Sequence, residues 1–160
     1  MQALQVIELV AGYDPQGQAV IERLQIKITD DDACQLVKSP AFIKGIASGD
    51  VIKLDPEDGK FEIIQRGGNL SIRIFCRGDV LSLSEQLTPQ LEKLGGDLDL
   101  ETERMLVYSI HVSCGFKMIE DILNKHVGEN TQSAWQYGNV YDPSDGTTPL
   151  NWWNEILSPE

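Results

Sequence analysis

Hydrophobic and polar side chains alternate along much of the first 75 residues, which is the pattern of half-buried β-strands. The opening stretch is interrupted by Asp14, Pro15 and Gly17, where proline presets φ and glycine accepts a positive φ, so we predict a hairpin there. Three further strands are predicted between turn-forming residues, at 51–54, 60–66 and 70–76. The pattern therefore predicts a strongly twisted antiparallel unit of five strands, resembling a small, partly open barrel.

After Gly78 the spacing of the hydrophobic residues lengthens from two to nearly four, which indicates helices. A first helix is predicted where leucines recur at positions 83, 87, 91 and 94. Ser82 and Glu85 are spaced as a capping box at its start. Pro89 lies inside this pattern, so we expect a kink or a helix that starts late.

The second half of the chain combines two helices with four strands. The second helix is predicted to have Ser113 as its N-cap and to end at Gly128. The strands of this half are predicted at 70–76, 97–101, 104–112 and 135–141. In chain order these elements read β-α-β-β-α-β, the split βαβ arrangement of the ferredoxin-like fold.

These patterns predict an α+β protein made of two fused parts. The N-terminal twisted antiparallel β unit, barrel-like, takes residues 1–69, and the ferredoxin-like βαββαβ half takes residues 70–141. An aromatic tail, residues 142–160, follows. The strand at 70–76 is expected to serve both parts, and no linker rich in Pro, Gly or Ser separates them. We therefore predict a single continuous domain over residues 1–160.

Acidic residues outnumber basic ones, with 25 Asp and Glu against 13 Lys and Arg and a formal net charge of −12. A field of this sign repels phosphate groups, so we predict no binding to nucleic acid or to an anionic membrane. Two interpretations of the charge stay open. The favoured interpretation is that the charge provides solubility alone. The other is that it attracts a basic protein partner such as a toxin, a nuclease or a basic peptide.

The cysteines and the N-terminal segment bear on the compartment. Cys34, Cys76 and Cys114 are widely spaced, without CxxC or paired Cys/His spacing, so we predict neither a disulfide framework nor structural zinc. The N-terminal segment lacks a basic stretch followed by an apolar run. No segment approaches the about 18 consecutive apolar residues of a membrane-spanning helix. We therefore expect a cytoplasmic protein.

The loop carboxylates and glycines do not form a recognisable metal or cofactor motif. Asp30, Asp31 and Asp32 offer oxygen ligands for calcium, but consecutive residues of an extended segment point in different directions, so an acidic turn is favoured. The Gly-Gly-Asn run at 67–69 does not open a helix after a strand, and a turn explains it better than phosphate binding. We predict no metal and no cofactor.

Cys114 is the best candidate for a reactive side chain. It lies at the predicted start of the second helix, where the helix dipole favours a thiolate, and His111 precedes it by three residues. No orienting group or known nucleophile signature accompanies the pair. A buried, unreactive cysteine is therefore the favoured interpretation, and we predict no catalytic residue.

Aromatic residues near the C-terminal end are the best binding candidates, because they bury a large area with few rotatable bonds. The candidates are Trp135, Tyr137, Tyr141, Trp152 and Trp153. The competing interpretation, which is favoured, is that the tail folds back and Trp152 or Trp153 covers an otherwise open hydrophobic edge, since an exposed Trp-Trp pair would be an adhesive patch.

A short phrase in the sequence carries a resemblance to a known family. The segment 40–51 contains GIASGDV, and related proteins have a similar G-I-A-x-G-D-V phrase. With the strand pair after it, the first amphipathic helix and the later Trp135-x-Tyr137, it resembles the small bacterial proteins catalogued as domain of unknown function 4265. The likeness covers roughly residues 20 to 141. It implies an intracellular bacterial protein and brings no catalytic residues.

Two classes of function fit these observations. The first is a non-catalytic protein-binding or regulatory module that presents an acidic face to a basic protein partner. The second is small-molecule binding or thiol-dependent catalysis in a groove near His111 and Cys114. Formation of a homodimer through a sheet edge is a further possibility, because pairing is a common way to cover exposed strands.

Overall fold

The computed structural model describes residues 4–30, 33–55 and 60–157. Within these residues it is a mixed α+β structure of two antiparallel sheets and three α-helices, so the predicted α+β class is confirmed. The acidic turn was predicted at Asp30, Asp31 and Asp32, but Asp30 is the last residue of a strand, Ala19–Asp30. Asp31 and Asp32, and most of the turn predicted at 55–59, lie outside the described residues.

The first sheet is an antiparallel meander in which five strands follow chain order. The strands are β1 (Leu4–Tyr13), β2 (Ala19–Asp30), β3 (Ala33–Leu36), β4 (Val51–Leu54) and β5 (Phe61–Gln65). The predicted hairpin joins β1 to β2, and Asp14 Oδ1 accepts hydrogen bonds from the backbone N–H groups of Gln16 and Gln18 at 2.9 Å. Among the described residues β1 does not pair with β5, so the barrel-like closure stays a prediction.

Two assignments in this half were wrong. The acidic segment was not predicted to lead into a strand, yet Ala33–Leu36 forms β3 between β2 and β4. Conversely, the strand at 70–76 was expected to serve both halves, but it pairs only with strands of the second sheet in the described chain. A four-residue strand carries too little alternation to be recognised locally, and its partners lie elsewhere in the sequence.

The second sheet has four antiparallel strands. They are β6 (Asn69–Cys76), β7 (Asp97–Glu101), β8 (Met105–His111) and β9 (Ser133–Tyr137), in the spatial order β7-β8-β6-β9. The helices α1 (Val80–Glu92) and α2 (Phe116–His126) connect them, and a short helix α3 (Trp153–Leu157) lies in the tail. As a result β9 lies at one edge of this sheet and β7 at the other.

Both long helices begin at other residues than predicted. Asp79 caps α1, accepting a hydrogen bond from the backbone N–H of Ser82 at 3.1 Å, so the helix starts before the predicted capping box and Pro89 lies within it. Ser113 does not cap α2. Ser113 lies in a 3-10 turn, and its backbone N–H donates to His111 Nδ1 at 3.1 Å. Helix α2 starts only after Gly115.

The larger hydrophobic core lies between the two long helices and one face of the second sheet. It comprises Leu83, Leu87, Leu91, Ile119 and Leu123 of the helices packed on Leu70, Ile72, Ile74, Leu106, Tyr108 and Ile110 of the strands. The alternate residues of β6 face the opposite side, and two of them, Ser71 and Arg73, are also buried. Both faces of this strand are therefore covered, one by helices and one by the first half of the chain.

The second face is covered by the loop of residues 37–50, which we call the junction loop. Glu22 on β2 holds the loop from one side, because its carboxylate accepts hydrogen bonds from the backbone N–H groups of Ala41, Phe42 and Ile43 at 2.6, 2.9 and 3.0 Å. Arg73 on β6 holds it from the other side, donating to the backbone carbonyls of Phe42 and Ile43. The junction loop thereby connects the two sheets.

The GIASGDV phrase of the family resemblance forms the second part of the junction loop. Gly45 and Gly49 adopt φ values of +92° and +86°, which favour glycine. Buried Asp50 accepts hydrogen bonds from the backbone N–H groups of Ala47 at 2.9 Å and Gly67 at 2.8 Å. Arg66 donates to the carbonyl of Gly45 at 2.5 Å. The phrase therefore serves to shape a connection, because its polar groups bind the chain's own backbone.

Among the described residues, no helix has both the length and the apolar character needed to cross a membrane.

Candidate functional site

Strand β9 has a free edge. Within the described residues it pairs on one side only, with β6, where Tyr137 lies opposite Ile72 and Gln136 opposite Arg73. The backbone N–H of Gly138 donates to the carbonyl of Ser71 at 2.8 Å, so the even-numbered residues of this strand direct their backbone groups towards β6. The backbone groups of the alternate residues, Trp135 and Tyr137, therefore point away from the sheet.

A groove of about 350 Å³ runs along this free edge. One side is formed by Gln136 and Lys44, because the junction loop lies on the sheet face from which Arg73 and Gln136 project. The other side is formed by Trp135 and Tyr137 with α2. Trp135 and Tyr137 project from one face of the sheet and Gln136 from the other, so a cavity lined by all three must lie along the outer edge of β9. We call this cavity the groove.

The remaining boundaries of the groove come from α2 and from the segment that follows β9. Glu120 of α2 lines it on the aromatic side. Tyr141, Asp142 and Pro143 line its far end. Pro143 packs against the junction loop, where a Cβ added to Gly45 would lie 3.3 Å from the proline ring. The groove is thus open along β9 and bounded at one end by a fixed turn.

The aromatic side chains form a continuous row of edge-to-face contacts. Trp135 contacts Tyr137 with ring centroids 5.0 Å apart, Tyr137 contacts Phe116 at 5.7 Å, and Phe116 contacts Trp153 at 5.2 Å. The last contact joins Trp153 to Trp152 at 5.5 Å. Such pairs stabilise beyond the area that they bury, by about 0.5–1.5 kcal/mol each. Trp135 and Tyr137 are the part of this row that lines the groove, and we call them the aromatic wall.

The five predicted binding aromatics divide into two groups. Trp135, Tyr137 and Tyr141 line the groove. Trp152 and Trp153 do not line the groove. They pack against the large core, as Trp135 and Tyr137 also do in part, and Trp152 Nε1 donates to the carbonyl of Asn139 at 2.9 Å. The arrangement of this second group is the one expected if the tail folds back on the protein, which was the favoured interpretation.

Hydrogen bonds orient the polar atoms of the aromatic side. The hydroxyl of Tyr137 donates to Glu120 Oε2 at 2.8 Å, and Trp135 Nε1 donates to Asn124 Oδ1 at 3.0 Å. Burial raises the pKa of Tyr137 far above its ordinary value, and the neighbouring Glu120 carboxylate raises it further. Tyr137 therefore stays protonated and fixes the position of the carboxylate at the groove.

The charges along the groove have mixed signs with an acidic excess. Glu120 and Asp142 contribute carboxylates, and Lys44 lies on the opposite side. The adjacent turn contains Asp145, whose pKa is lowered to about 2 by hydrogen bonds from the side chain and backbone of Thr148 and from the backbone of Thr147. This turn therefore keeps a negative charge at every physiological pH, next to the end of the groove.

His111 and Cys114 do not form the pair that was considered as a reactive site. His111 Nδ1 lies 2.8 Å from the Oγ of Ser113, and it accepts a hydrogen bond from the backbone N–H of Ser113 at 3.1 Å. Cys114 lies in the 3-10 turn before α2, and its Sγ contacts the carbonyl of Gly115 at 3.7 Å. Burial raises the pKa of the Cys114 thiol, so the local environment does not favour the thiolate that nucleophilic attack requires.

The charged residues of the groove, Lys44, Glu120 and Asp142, were not among the sequence candidates. Glu120 follows Phe116 by one helical turn, and this spacing was a usable signal that both would face the same neighbour. Lys44 and Asp142 had no such signal, because their loops reach the groove only through tertiary packing. No cluster of His, Cys, Asp and Glu suited to a metal ion is present in the part of the chain that is described.

Comparisons with known proteins agree with the fold described above. A solved structure, titled as the novel crystal structure of a hypothetical protein from Neisseria gonorrhoeae, superposes with a TM-score of 0.67 and 20% sequence identity. The match covers 86% of this chain and 94% of that one, and at this identity it shows a shared fold alone. No curated protein matches the sequence.

The family comparison gives a direct assignment. The model described as Domain of unknown function (DUF4265) matches residues 22–136, which is most of the chain. The matched range contains the junction loop, both long helices and all but the last residue of β9. The resemblance seen in the sequence is therefore confirmed, and the chain belongs to the DUF4265 family.

Proposed function

We propose that this protein is a non-catalytic binding module that holds a basic segment of a partner protein in the groove. The observation that carries this proposal is the combination found at the edge of β9. An aromatic wall, an oriented carboxylate and a free strand edge meet in one cavity of about 350 Å³. A reactive centre needs an activated group, whereas a binding groove needs only fixed complementary surfaces.

A cationic side chain is the ligand group that this wall suits. The faces of Trp and Tyr rings attract Lys and Arg by about 0.5–1 kcal/mol at exposed sites. Glu120 adds a charge-assisted hydrogen bond, and its carboxylate is already held by Tyr137, so little side-chain freedom is lost on binding. Lys44, on the opposite side of the groove, disfavours a second cation there.

The overall charge supports the same partner. With a net charge of −12, the protein attracts basic surfaces over a distance comparable with the Debye length of about 8 Å at physiological ionic strength. This attraction increases the association rate more than it increases the final affinity. We infer that the charge guides a basic partner and that the groove selects it.

The architecture assigned to the two halves belongs to the same proposal. The order β7-β8-β6-β9, with all pairs antiparallel and two connecting helices, supports a ferredoxin-like second half. The contacts of the junction loop with Glu22 and Arg73 support one continuous domain over residues 1–160. A barrel-like first half and a cytoplasmic location are further parts of the proposal.

The proposal is tested with a fluorescein-labelled peptide, Lys-Thr-Lys-Thr-Lys-Thr-Lys, titrated with the full-length protein at low ionic strength and followed by fluorescence anisotropy. We expect saturable binding that weakens as salt is added. Glu120→Gln should weaken it about fivefold, which corresponds to about 1 kcal/mol, and Trp135→Ala should weaken it by about the same factor.

Glu101→Gln is the matched control, because it removes one carboxylate from β7, at the opposite edge of the same sheet. Its affinity should stay within about twofold of the wild-type value, since only screened long-range attraction changes. Equal weakening by Glu120→Gln and Glu101→Gln would show that bulk charge alone attracts the peptide. That result, or no saturable binding at low salt, overturns the proposed function.

A further inference from the structure

The free edge of β9 carries backbone groups without partners. The N–H and C=O groups of Trp135 and Tyr137 point away from β6, and no hydrogen bond within the described residues uses them. Natural sheets usually protect such an edge by covering it, bending it or placing lysines on it. Here the edge instead opens into the groove, with aromatic rings on one side and the junction loop on the other.

We infer that the partner segment binds as an additional strand on β9, with main-chain hydrogen bonds to Trp135 and Tyr137. This inference rests on the proposed function and specifies how the basic segment is held. In strand addition, main-chain bonds supply affinity and alternate side chains supply specificity. The unpaired backbone of β9 on the floor of the groove can supply the affinity. The two sides of the groove differ chemically and can supply the specificity.

A second copy of the chain is the obvious competing occupant of a free edge, and the charges disfavour it. Pairing of β9 with itself would place two Glu120 residues on the same face of the combined sheet. Each copy also carries a net charge of −12. A basic segment meets no such repulsion, so charge complementarity selects it over a homodimer.

The two sides of the groove predict the pattern of the bound segment. A ligand residue opposite Trp135 or Tyr137 projects its side chain on their face, towards Glu120. The neighbouring ligand residues project towards Gln136 and Lys44. The preferred ligand therefore has Lys or Arg at alternate positions, with neutral or acidic residues between them.

Backbone methylation of the peptide tests strand addition. Two versions of the labelled Lys-Thr peptide are made, one with N-methyl groups on every lysine and one with N-methyl groups on every threonine, so that both keep the same charge and side chains. Alternate residues of a bound strand direct their N–H groups to β9, and the others direct them to solvent. We expect one version to lose binding at least tenfold and the other to stay within about twofold.

The version that fails also gives the orientation. If the lysines lie opposite Trp135 and Tyr137, methylated lysines fail in an antiparallel arrangement and methylated threonines fail in a parallel one. Either result supports strand addition. Equal binding by the two versions, whether retained or lost, overturns it.

The outcomes separate this inference from the proposed function. If binding depends on Glu120 but both methylated peptides bind equally, the proposed function stands and strand addition is wrong. Light scattering on the free protein tests the competing occupant. A dimer that Tyr137→Pro converts to a monomer, while Tyr137→Ala leaves it a dimer, would overturn the inference in favour of a second copy, because both substitutions remove the tyrosine ring and only proline also removes the outward-facing N–H group.

Discussion

The junction loop and the groove meet at Gly138, and they use similar chemical groups in opposite ways. At the junction, Arg73 is 1% exposed, and it binds carbonyls of its own chain. At the groove, Glu120 is half-buried and faces open space, and Tyr141 is 41% exposed. Charge and hydrogen-bonding capacity alone therefore do not mark a site. What distinguishes the two regions is whether the chain already supplies the partners.

The energetics of the two regions differ for the same reason. Burial lowers the pKa of Arg73 to about 10, and the negative charge of Glu22 limits the decrease, so the guanidinium remains charged at neutral pH. A buried charge is tolerated only because its partners are fixed. In the groove the rings and Glu120 are held in position while remaining accessible, which is the state that a ligand requires.

The largest expected effect comes from replacing Arg73 with Met, which keeps the length of the side chain and removes its donors. The carbonyls of Phe42 and Ile43 would lose hydrogen bonds from a charged group, each worth about 1.5–3 kcal/mol. We expect the free energy of unfolding, measured with urea, to fall by about 3 kcal/mol.

Arg23→Met is the matched control for Arg73→Met. The Arg23 side chain is 77% exposed, and its ion pair with Glu8 lies on the surface. Such pairs contribute at most about 1 kcal/mol. A similar loss of stability in both variants would mean that the junction is no more than another polar surface, and the comparison of the two regions would fail.

A smaller effect is expected at Gly138, where the two regions meet. A Cβ at this position would lie 2.5 Å from Ser71 Oγ and 2.9 Å from Arg73 Nε. We expect Gly138→Ala to lower the unfolding free energy by about 1–3 kcal/mol, as overpacked positions do. Gly128→Ala is the control, because nothing lies within 4 Å of its added Cβ. Equal stability of the two variants would show that the contact between the regions is loose.

The smallest expected effect concerns Asp99, which accepts hydrogen bonds from the backbone N–H of Ser39, at 2.8 Å, and from the hydroxyl of Ser109. Burial raises its pKa, and these hydrogen bonds only partly oppose the increase. A carboxyl whose pKa is higher in the folded state stabilises the fold fully below its unfolded pKa of about 3.9. This stabilisation is lost as the pH rises through the folded pKa.

The prediction for Asp99 is a change in pH dependence. Asp99→Asn lacks this titration, so its unfolding free energy minus that of the wild type should increase as the pH rises from about 3.5 to 7. Denaturant unfolding of both proteins at a series of pH values measures the difference. A constant or decreasing difference would show that the hydrogen bonds at the junction outweigh the cost of burial.

Much of the secondary structure followed from the sequence. The leucine spacing located α1, and the alternation around Ile72 located β6. Helix starts were less accurate, because Asp79 and Ser82 are both good caps and only the surrounding chain selects one. Strand β3 was missed because its four residues are stabilised by pairing with β2 and β4, which local periodicity does not report.

Only part of the candidate site could be predicted from the sequence. The aromatic composition near the C-terminal end indicated Trp135, Tyr137 and Tyr141, since large rings have few roles other than packing and binding. The sequence does not distinguish these two roles. Trp153 packs against Phe116, whereas Tyr141 lines the groove, although both residues belong to the same segment by composition.

The order of apolar and polar residues by itself determined the α+β class, the two amphipathic helices and the family, because these depend on local spacing and on a short phrase. Tertiary structure alone decided that β9 is an edge strand, that Lys44 and Glu120 lie on opposite sides of it, and that Arg73 is buried beneath the junction loop. The physical reason is that burial and strand pairing join residues far apart in sequence, whereas the pattern along a chain reports only near neighbours.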